Sequence, residues 1–569
     1  MIKIIERVYP AEVAQALTDA GVHPILARVY AARGITSTSD LDTKLSQLIP
    51  FEQLKNATLA AQLLAESIAA RKRLMIIADY DCDGATACAV GLRALRAFGA
   101  SVDFLVPNRF EYGYGLTPEI VRFASQQKPD LLITVDNGIA SIEGVAEAKR
   151  LGMGVLVTDH HLPGDGLPDA DCIVNPNQPG CDFPSKSIAG VGVMFYVMMA
   201  LRAELRARGH FVERPEPNLA ALLDIVALGT VADVVKLDLN NRRLVDQGVR
   251  RLRAGQANTG LRALYRVAGR EPRKASTYDL GFVLGPRLNA AGRLKDMSLG
   301  IALLTTDDEE KAQQLAQQLD ALNRERREIQ ADMQESALAA LEKIDSRNGD
   351  KSRDKVSLCV FDPAWHQGIV GLVAGRLKDK FHRPAIAFAR GMNGEIKGSG
   401  RAIAGLHLRD ALDLVAKKSP GLILKFGGHA GAAGLSIREE AFSEFASLFE
   451  TVVASLLSKS DLEQSIEIDG ELPPDLMKLS LASQLEGQVW GQGFAAPLFQ
   501  GTFNVVNQRV VAGKHLKLKL TQGKHEFEAI YFSHTEPVEK TIRAVYRLAV
   551  NEYLGLEDVQ LTLQHCQAA

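Results

Sequence analysis

The sequence predicts an α/β protein: a parallel-sheet domain, a long connecting helix, a second α/β domain and a small C-terminal β-barrel. Aliphatic runs typical of strands buried on both faces alternate with helical patterns over the first half of the chain. A segment rich in strong helix formers, without Gly or Pro, follows. The last hundred residues show strand alternation. A length of 569 residues fits roughly three or four domains.

Segment boundaries follow from these changes of pattern. The first fifty residues read as a polar helical lead-in to which the sequence assigns no role. We predict the parallel-sheet domain over 51–304, the connecting helix over 305–345, the second α/β domain over 346–457 and the barrel over 458–569.

Composition restricts the class of protein. With 46% apolar and 24% charged residues, the chain resembles ordinary globular proteins. The N-terminus lacks the apolar core of a signal peptide, and the longest apolar stretch, Ile188 to Leu201, is short enough to predict a buried helix. Six cysteines without a Cys-x-x-Cys pair predict reduced thiols in a cytoplasmic protein with no membrane partner. A net charge of −2 means that any polyanion must be held by a local groove.

Three predicted strands end in acidic or imidazole residues. The strands cover 74–78, 131–135 and 155–158. In parallel sheets ligands lie beyond the carboxyl ends of the strands, so these side chains predict a divalent-metal site. Asp233 joins it, because a carboxylate within the apolar stretch 219–235 is costly unless it is paired or bound to metal; helix capping is the alternative. The candidates are Asp79, Asp81, Asp83, Asp136, Asp159, His160, His161 and Asp233.

Two other interpretations apply to the cluster at 79–84. An EF-hand loop opens with the same Asp spacing, but it needs Glu at its twelfth position, where this chain has Val90, and it should follow a helix. Asp81 or Asp83 could instead cap a helix predicted over 85–97. One aspartate could do so, but three at alternate positions would repel one another unless a cation or proton intervened. For Asp136, the Asp-Asn-Gly turn is an equally good explanation.

Glycine-rich motifs mark the second α/β domain, at 365–368, 398–401 and 427–434. Such glycines allow backbone amides to approach an anion closely. Ser399 and Arg401 beside them predict a phosphate cradle.

In the C-terminal segment, Lys517 and Lys519 alternate with leucines, which predicts one apolar and one cationic strand face. We therefore expect a barrel with a basic outer face; the alternative is a strand surface that is merely soluble. Few aromatic residues accompany the lysines, so a grip on a single strand would rely more on phosphates than on stacking.

Taken in order, the motifs at 79–84, 136–138, 159–161 and Asp233 resemble the four signatures of the DHH phosphoesterase superfamily. The stretch 427–434 resembles the associated DHHA1 domain. With 285–293 and the trailing OB-like barrel, the chain resembles the bacterial single-strand-specific 5′→3′ DNA exonucleases of that superfamily, from about residue 50 to the end.

The resemblance implies two divalent cations, Mn²⁺ or Mg²⁺, between the DHH and DHHA1 domains, and hydrolysis of single-stranded DNA to mononucleotides in DNA repair and recombination. It implies that Asp79 and Asp159 ligate or orient ligands, that His161 touches the scissile phosphate, and that Asp136 bridges the two cations. The implied direct ligands are Asp81, Asp83, Asp136, His160 and Asp233.

The resemblance also implies a pocket that reads the 5′ phosphate and a path for the strand. The residues expected to contact DNA are Arg109, Arg287, Asn289, Arg293, Ser399, Arg401, His429, Lys517 and Lys519. Single-strand-binding protein, a helicase and mismatch-repair factors are the partners that the resemblance implies, and we expect a monomer.

Two rival functions share these features. Another DHH phosphodiesterase, such as a nanoRNase or a cyclic-dinucleotide hydrolase, would have the same metal site but generally no barrel. A non-catalytic DNA-binding scaffold would require lost metal ligands, and here the signatures are intact.

Overall fold

The computed structural model describes residues 2–107, 115–348, 355–391, 394–553 and 555–569. The chain forms two compact units: a larger unit of residues 6–320 and 467–569, and a smaller unit of residues 1–5 and 321–466. The predicted fold class is confirmed, since the structure contains a parallel α/β sheet, a mixed α/β sheet and a closed five-stranded barrel.

The first fifty residues are more than a polar lead-in. They form β1 (Lys3–Glu6), α1 (Ala11–Asp19) and α2 (Pro24–Ala31), followed by 3₁₀ turns at Thr38–Leu41, Leu45–Gln47 and Phe51–Gln53. β1 pairs with a strand far along the chain, β12 (Ser465–Ile468).

The segment after α2 is anchored to the stretch that precedes the barrel. The guanidinium of Arg33 donates to both carboxylate oxygens of Asp469, at 2.6 and 3.0 Å. The two side chains are only 3% and 2% exposed. The hydroxyl of Tyr30 donates to Gln488 at 2.7 Å. Because losing one member of a buried ion pair leaves an uncompensated charge, this contact fastens the two distant segments together.

The parallel sheet lies in the larger unit, and its strand order is β3-β2-β4-β5-β6. Its elements are, in chain order, α3 (Ala57–Ala69), β2 (Arg73–Ala78), α4 (Cys82–Ala97), β3 (Ser101–Leu105), α5 (Pro118–Ser125), β4 (Leu131–Val135), α6 (Ile142–Arg150), β5 (Gly154–Thr158), β6 (Cys172–Val174) and α7 (Gly190–Ala207).

The strand order reverses between β2 and β4. The chain leaves β2 to add β3 on one side and then returns to add β4 on the other. All five residues of β4 are buried, as are the last five of β2, because helices cover both faces. Such a switch point opens a crevice beyond the carboxyl ends of the strands, and both strands lead there into the acidic motifs.

A group of helices completes this unit and leads into the smaller one. They are α8 (Leu223–Ala232), α9 (Leu239–Arg253), α10 (Thr259–Val267), α11 (Gly285–Leu294), α12 (Ser298–Thr305) and α13 (Glu309–Asn348). The connecting helix begins at Glu309 rather than at 305, because the helical conformation is interrupted after α12, where Thr306 is extended. Asp308 accepts hydrogen bonds there from the amides of Glu310 and Lys311, at 2.9 and 3.0 Å, and so caps α13.

The smaller unit contains a five-stranded mixed sheet of order β10-β11-β9-β8-β7. Its core includes the buried rings of Phe388, Phe445 and Phe449. The elements are β7 (Leu358–Phe361), α14 (Val370–Phe381), β8 (Ala385–Arg390), β9 (Glu395–Arg401), α15 (Leu408–Lys418), β10 (Ile423–Gly428), β11 (Ala432–Arg438) and α16 (Phe442–Leu456).

The C-terminal barrel closes in the order β13-β14-β15-β17-β16. It comprises β13 (Phe499–Val511), β14 (His515–Gln522), β15 (His525–Tyr531), β16 (Thr541–Tyr553) and β17 (Leu556–Ala568), preceded by α17 (Leu479–Glu486). β15 and β17 pair in parallel and the other neighbours are antiparallel. Alternation along β14 buries Leu516, Leu518 and Leu520, as predicted.

The apolar stretch 188–201 is the buried helix that the sequence predicts, and it forms most of α7. Over the part of the chain that the structure describes, every helix is too short or too polar to cross a bilayer. All six cysteines are free thiols.

Candidate functional site

The loop after β2 is held by the aspartate that caps the next helix. One carboxylate oxygen of Asp81 accepts from the amides of Asp83 and Gly84, at 2.8 and 3.1 Å. α4 therefore begins at Cys82, three residues earlier than predicted. This capping accounts for one oxygen of Asp81 and does not compete with metal binding by the other. Val90 lies buried within α4, so the loop is not an EF-hand.

Asp83 is completely buried against the first turn of α7. Its two carboxylate oxygens accept from the amides of Gly190 and Val191, at 2.6 and 2.9 Å. The positive end of the α7 dipole stabilises the negative charge and fixes the orientation of the carboxylate. Sequence reasoning treated this stretch only as a buried helix and missed its role. The feature of the sequence that could have revealed this role is the start of the helix at Gly190 and Val191, because the first backbone amides of a helix have no acceptor within it.

Asp136 follows β4 in a left-handed backbone conformation with φ of +62°. The adjacent Asn137 stabilises the turn, since its side-chain amide donates to the carbonyls of Ile77 and Val135, at 3.1 and 2.9 Å. Asp tolerates this conformation better than most residues do. The turn buries the Asp136 side chain, and an oxygen of its carboxylate lies 3.1 Å from Nε2 of His160.

His160 supplies the strongest indication of a metal. Its Nε2 is buried and makes no hydrogen bond to any described residue. The same atom lies 3.1, 3.5 and 3.8 Å from carboxylate oxygens of Asp136, Asp233 and Asp83. The ring also hydrogen-bonds with the backbone of Ile188. Burial, followed by the charge of His161, lowers the pKa of His160 to about 4, so the imidazole is neutral at physiological pH. A neutral imidazole among three carboxylates fits a divalent cation.

Asp159 orients the two histidines. One of its oxygens accepts from the amides of His160 and His161, at 2.7 and 3.1 Å, and from Nδ1 of His161 at 2.8 Å. The other oxygen accepts from the amide of Ile139 at 2.9 Å. Burial alone would lower the pKa of His161, but the hydrogen bond and charge of Asp159 outweigh it and raise that pKa to about 9. In the metal-free protein His161 is therefore protonated at neutral pH.

Asp233 ends α8, and Val234 after it is left-handed, with φ of +62°. The Asp233 carboxylate faces His160, whose Nε2 lies 3.5 Å from one of its oxygens. Asp224, in the same apolar stretch, has a purely structural role. Its two oxygens accept from the amides of Ile225 and Asn258, at 2.9 and 2.6 Å.

These residues form three overlapping groups whose ligand atoms lie within 4.8 Å of one another. Burial and mutual repulsion raise the pKa values of Asp83, Asp136 and Asp233. Full ionisation of the cluster therefore requires added positive charge, which divalent cations supply. The groups are Asp136 with His160 and His161, Asp83 with His160 and Asp233, and Asp79 with Asp81 and Asp136.

Helix α11, from which DNA contacts were predicted, instead supports the acidic loop. The side-chain oxygen of Asn289 accepts from the amide of Cys82 at 2.8 Å. Gly292 packs so closely that a Cβ there would lie 1.8 Å from the carbonyl oxygen of Tyr80. Arg287 is 8% exposed, and its guanidinium donates to Asp320 at 2.9 Å. Its contact with DNA stays a prediction. Arg293, half-buried, lies in the last turn of α11.

In the smaller unit, Ser399 and Arg401 lie side by side on β9, at the start of α14. The guanidinium of Arg401 donates to the hydroxyl of Ser399 at 3.2 Å. A Cβ on Gly371, in the first turn of α14, would lie 2.8 Å from that hydroxyl and 3.0 Å from Nη2 of Arg401. The glycine thus leaves room beside a helix N-terminus, which favours an anion. His429 is exposed between β10 and β11, and its Nδ1 accepts from the amide of Gly431 at 3.2 Å.

On the described surface of the barrel, the two lysines predicted to contact DNA lie beside glutamates. Lys517 pairs with Glu528 at 3.0 Å, and Lys519 pairs with Glu526 at 2.7 Å. Residues 468–569 contain nine Lys and Arg against eleven Asp and Glu. The lysines do point outwards, but glutamates of the neighbouring strand neutralise them. Another predicted DNA contact, Arg109, lies outside the described residues.

Comparisons with known proteins agree with this architecture. The DHH family, N-terminal domain, matches residues 73–230, the DHHA1 domain matches 354–455, and the RecJ OB domain matches 468–565. The single-stranded-DNA-specific exonuclease RecJ of Escherichia coli (strain K12) is 47% identical over 559 residues, which cover 96% of each chain. The protein of that name from Dickeya dadantii (strain 3937) is 49% identical over 554 residues, or 95% of each chain.

Solved structures give the same result. The crystal structure of RecJ in complex with Mn²⁺ from Thermus thermophilus is 28% identical, with a TM-score of 0.82 over 100% of this chain and 79% of that one. The Mg²⁺ complex of the same protein has a TM-score of 0.77 at 27% identity, over 100% of this chain and 78% of that one. With near-complete coverage at almost half identity to curated relatives, this chain belongs to the RecJ family of DHH proteins.

Proposed function

We propose that this chain is a metal-dependent exonuclease that degrades single-stranded DNA from the 5′ end to mononucleotides. The observation that carries the proposal is the buried Nε2 of His160, which faces carboxylates from three separate segments. The curated relatives are named as single-stranded-DNA-specific exonucleases, and the related Thermus thermophilus structures contain Mn²⁺ or Mg²⁺. Mn²⁺ and Mg²⁺ fit this set of carboxylate and imidazole ligands.

Roles for the individual residues follow from their contacts. Asp136 belongs to two of the three groups and would be the ligand shared by two cations. Asp159 belongs to none of the three groups, and its oxygens accept from the two histidines and from Ile139, so it positions the histidines rather than binding metal. The direct ligands are Asp81, Asp83, Asp136, His160 and Asp233, with Asp79 adjacent to Asp81 and Asp136.

Two divalent cations, when bound, supply the charge that stabilises the attacking and leaving oxygens of an in-line phosphoryl displacement. The protein contributes orientation. His161, positively charged and with its ring 44% exposed, is placed to donate a hydrogen bond to a phosphoryl oxygen as negative charge develops. Asp159 keeps that ring in one orientation throughout.

Digestion of end-labelled single strands tests the function. Strands labelled at the 5′ or the 3′ end are incubated with Mn²⁺, Mg²⁺ or chelator, beside a duplex and a dinucleotide. We expect labelled mononucleotide to appear at once from the 5′ label and late from the 3′ label, and only with metal. A preference for the dinucleotide would instead indicate an oligonucleotide phosphodiesterase, and metal-independent activity would contradict the proposed site.

We propose that Ser399 and Arg401 bind the 5′ phosphate of the DNA strand. A terminal phosphate carries more negative charge than an internal one, and a guanidinium beside a helix N-terminus binds it by charge-assisted hydrogen bonds. Arg401→Ala should therefore reduce the preference for 5′-phosphorylated over 5′-hydroxyl strands by roughly ten- to a hundredfold, because such a bond is worth roughly 1.5–3 kcal/mol. The kcat on saturating phosphorylated substrate should change much less.

The matched control is Arg390→Ala, an exposed arginine of the same sheet that pairs with Glu439. It should leave the preference unchanged. Wild-type discrimination in Arg401→Ala would remove Arg401 from the 5′-phosphate site.

Other proposed properties come from family membership. The protein acts in the cytoplasm, in DNA repair and recombination, with single-strand-binding protein, a helicase and mismatch-repair factors as partners. It is a monomer, for which light scattering should give a mass close to 61.7 kDa.

A further inference from the structure

Two aromatic rings are stacked on the outside of the larger unit. Tyr278 is 54% exposed and Phe282 is 73% exposed. Their ring centroids are 5.1 Å apart, with an interplanar angle of 23°. Single exposed apolar residues are common and require no explanation. A solvent-facing pair of parallel rings is different, because it presents a flat π surface to any planar ligand.

The pair lies on an irregular stretch of helix. Residues Asp279–Leu284 form a π-helix that continues into α11. Pro286, two residues further on, has no amide hydrogen to donate to the carbonyl of Phe282. The regular hydrogen-bond pattern is therefore interrupted at this point, and such π segments are frequent at functional sites.

This segment packs against the helix that supplies Asp233 to the metal cluster. A Cβ on Gly281 would lie 3.2 Å from a methyl of Val231, and one on Gly285 would lie 3.0 Å from Cβ of Ala232. Asp233 is the next residue of the chain, and Val234 after it is 65% exposed. The helical segment that carries the rings thus packs against the end of α8, next to a proposed metal ligand.

The barrel approaches the same segment from another side. Nζ of Lys274, four residues before Tyr278, binds Glu552 at 2.5 Å and Glu557 at 3.0 Å, at the β16–β17 hairpin. Arg547 on β16 is close enough to interact electrostatically with Tyr278. The aromatic pair thus lies beside a guanidinium of the barrel.

We propose that Tyr278 and Phe282 form a stacking surface for unpaired bases of the DNA strand, and that Arg547 contacts the adjacent phosphate. The inference rests on the proposed nuclease function and adds a substrate-positioning site to it. Bases of a single strand offer open π faces, whereas those of a duplex are covered by their neighbours. The surface therefore favours single strands over duplexes, whatever the width of the path that leads the strand to the metal cluster.

Binding measurements in an Asp136→Asn background, which prevents cleavage, test the proposal. The probe is a 5′-phosphorylated oligothymidylate of about twenty nucleotides with a 3′ fluorophore. Tyr278→Ala and Phe282→Ala should each raise Kd roughly tenfold, within the range known for base–aromatic stacking. Phe282→Trp should bind as tightly as the parent. Phe123→Ala, which removes a 44% exposed ring from α5, should change nothing.

A second readout reports stacking directly. A 2-aminopurine placed within the strand should lose fluorescence on binding to the parent and keep it with Phe282→Ala. In the cleaving background, Phe282→Ala should raise KM for long single strands and leave kcat unchanged. If Phe282→Ala matches Phe123→Ala in affinity and quenching, the stacking proposal is overturned while exonuclease activity of the wild type stands. If the wild type itself degrades no single strand, the proposed function fails.

Discussion

Asp136→Asn is expected to abolish detectable hydrolysis of single-stranded DNA and, at the same time, to raise the Tm of the metal-free protein. Asp136 belongs to two of the three ligand groups, so its loss affects both proposed cations. Removing several kcal/mol of transition-state stabilisation would reduce kcat by roughly a thousandfold or more.

The gain in stability has a separate cause. Burial, and then the charges of Asp83, Asp81, Asp233 and Asp79, raise the pKa of Asp136 well above its usual value. Without cations the folded protein must therefore either hold repelling charges together or protonate Asp136, and both cost stability at neutral pH. An amide removes the charge at equal size, and Asn also accepts the left-handed backbone at this position. A site built for binding commonly costs stability in this way.

Thermal unfolding with and without Mn²⁺ checks both parts. Wild-type protein should gain stability with added Mn²⁺, by about 2.7 kcal/mol at a hundred times Kd, and Asp136→Asn should gain far less. The control is Asp224→Asn, a buried carboxylate outside the cluster that accepts from two backbone amides. That change should lower Tm and keep the Mn²⁺ response. Mn²⁺-dependent cleavage by Asp136→Asn would contradict the ligand assignment.

Gly292→Ala should have the second-largest effect, although Gly292 is not a ligand. The new methyl would lie 1.8 Å from the carbonyl oxygen of Tyr80, within the acidic loop. Either α11 or the loop must move, and overpacking of this kind costs roughly 1–3 kcal/mol. A shift of about 1 Å at a reacting centre can reduce activity about a hundredfold. We therefore expect lower Tm, weaker Mn²⁺ stabilisation and at least that loss of activity.

Two further variants make this prediction specific. Gly375→Ala, in α14, meets no atom within 4 Å and should be neutral or slightly stabilising. Asn289→Ala removes the acceptor of the Cys82 amide and should weaken Mn²⁺ binding in the same direction, with less damage to folding. If both Gly292→Ala and Asn289→Ala bound Mn²⁺ like the wild type, α11 would not be the support of the loop.

The fold class and the cluster of candidate ligands could be predicted from sequence because both depend on local patterns. Runs such as 131–135 identify buried parallel strands, and parallel strands bring the residues that follow them to one edge. The capping role of Asp81 was also foreseen, as an alternative to metal binding. In the structure the two roles are compatible, because capping uses one oxygen.

The partners of cationic side chains could not be predicted, because they are distant in sequence or on another strand. The partner of Arg287 is Asp320, 33 residues further along the chain. The partners of Lys517 and Lys519 are glutamates that the pairing of β14 with β15 places diagonally across from them. Periodicity shows which side of a strand faces water, but it does not show what else lies on that side.

The buried Arg33–Asp469 pair has a consequence for how the chain is made. Ribosomes add roughly 5–20 residues per second, so the N-terminal helices wait about 20–90 s before residue 469 is synthesised. Throughout that interval a guanidinium destined for the interior stays in water, and the nascent helices lack their final packing. Synthesis of residue 469, rather than emergence of the first domain, is what allows this part of the molecule to reach its native state.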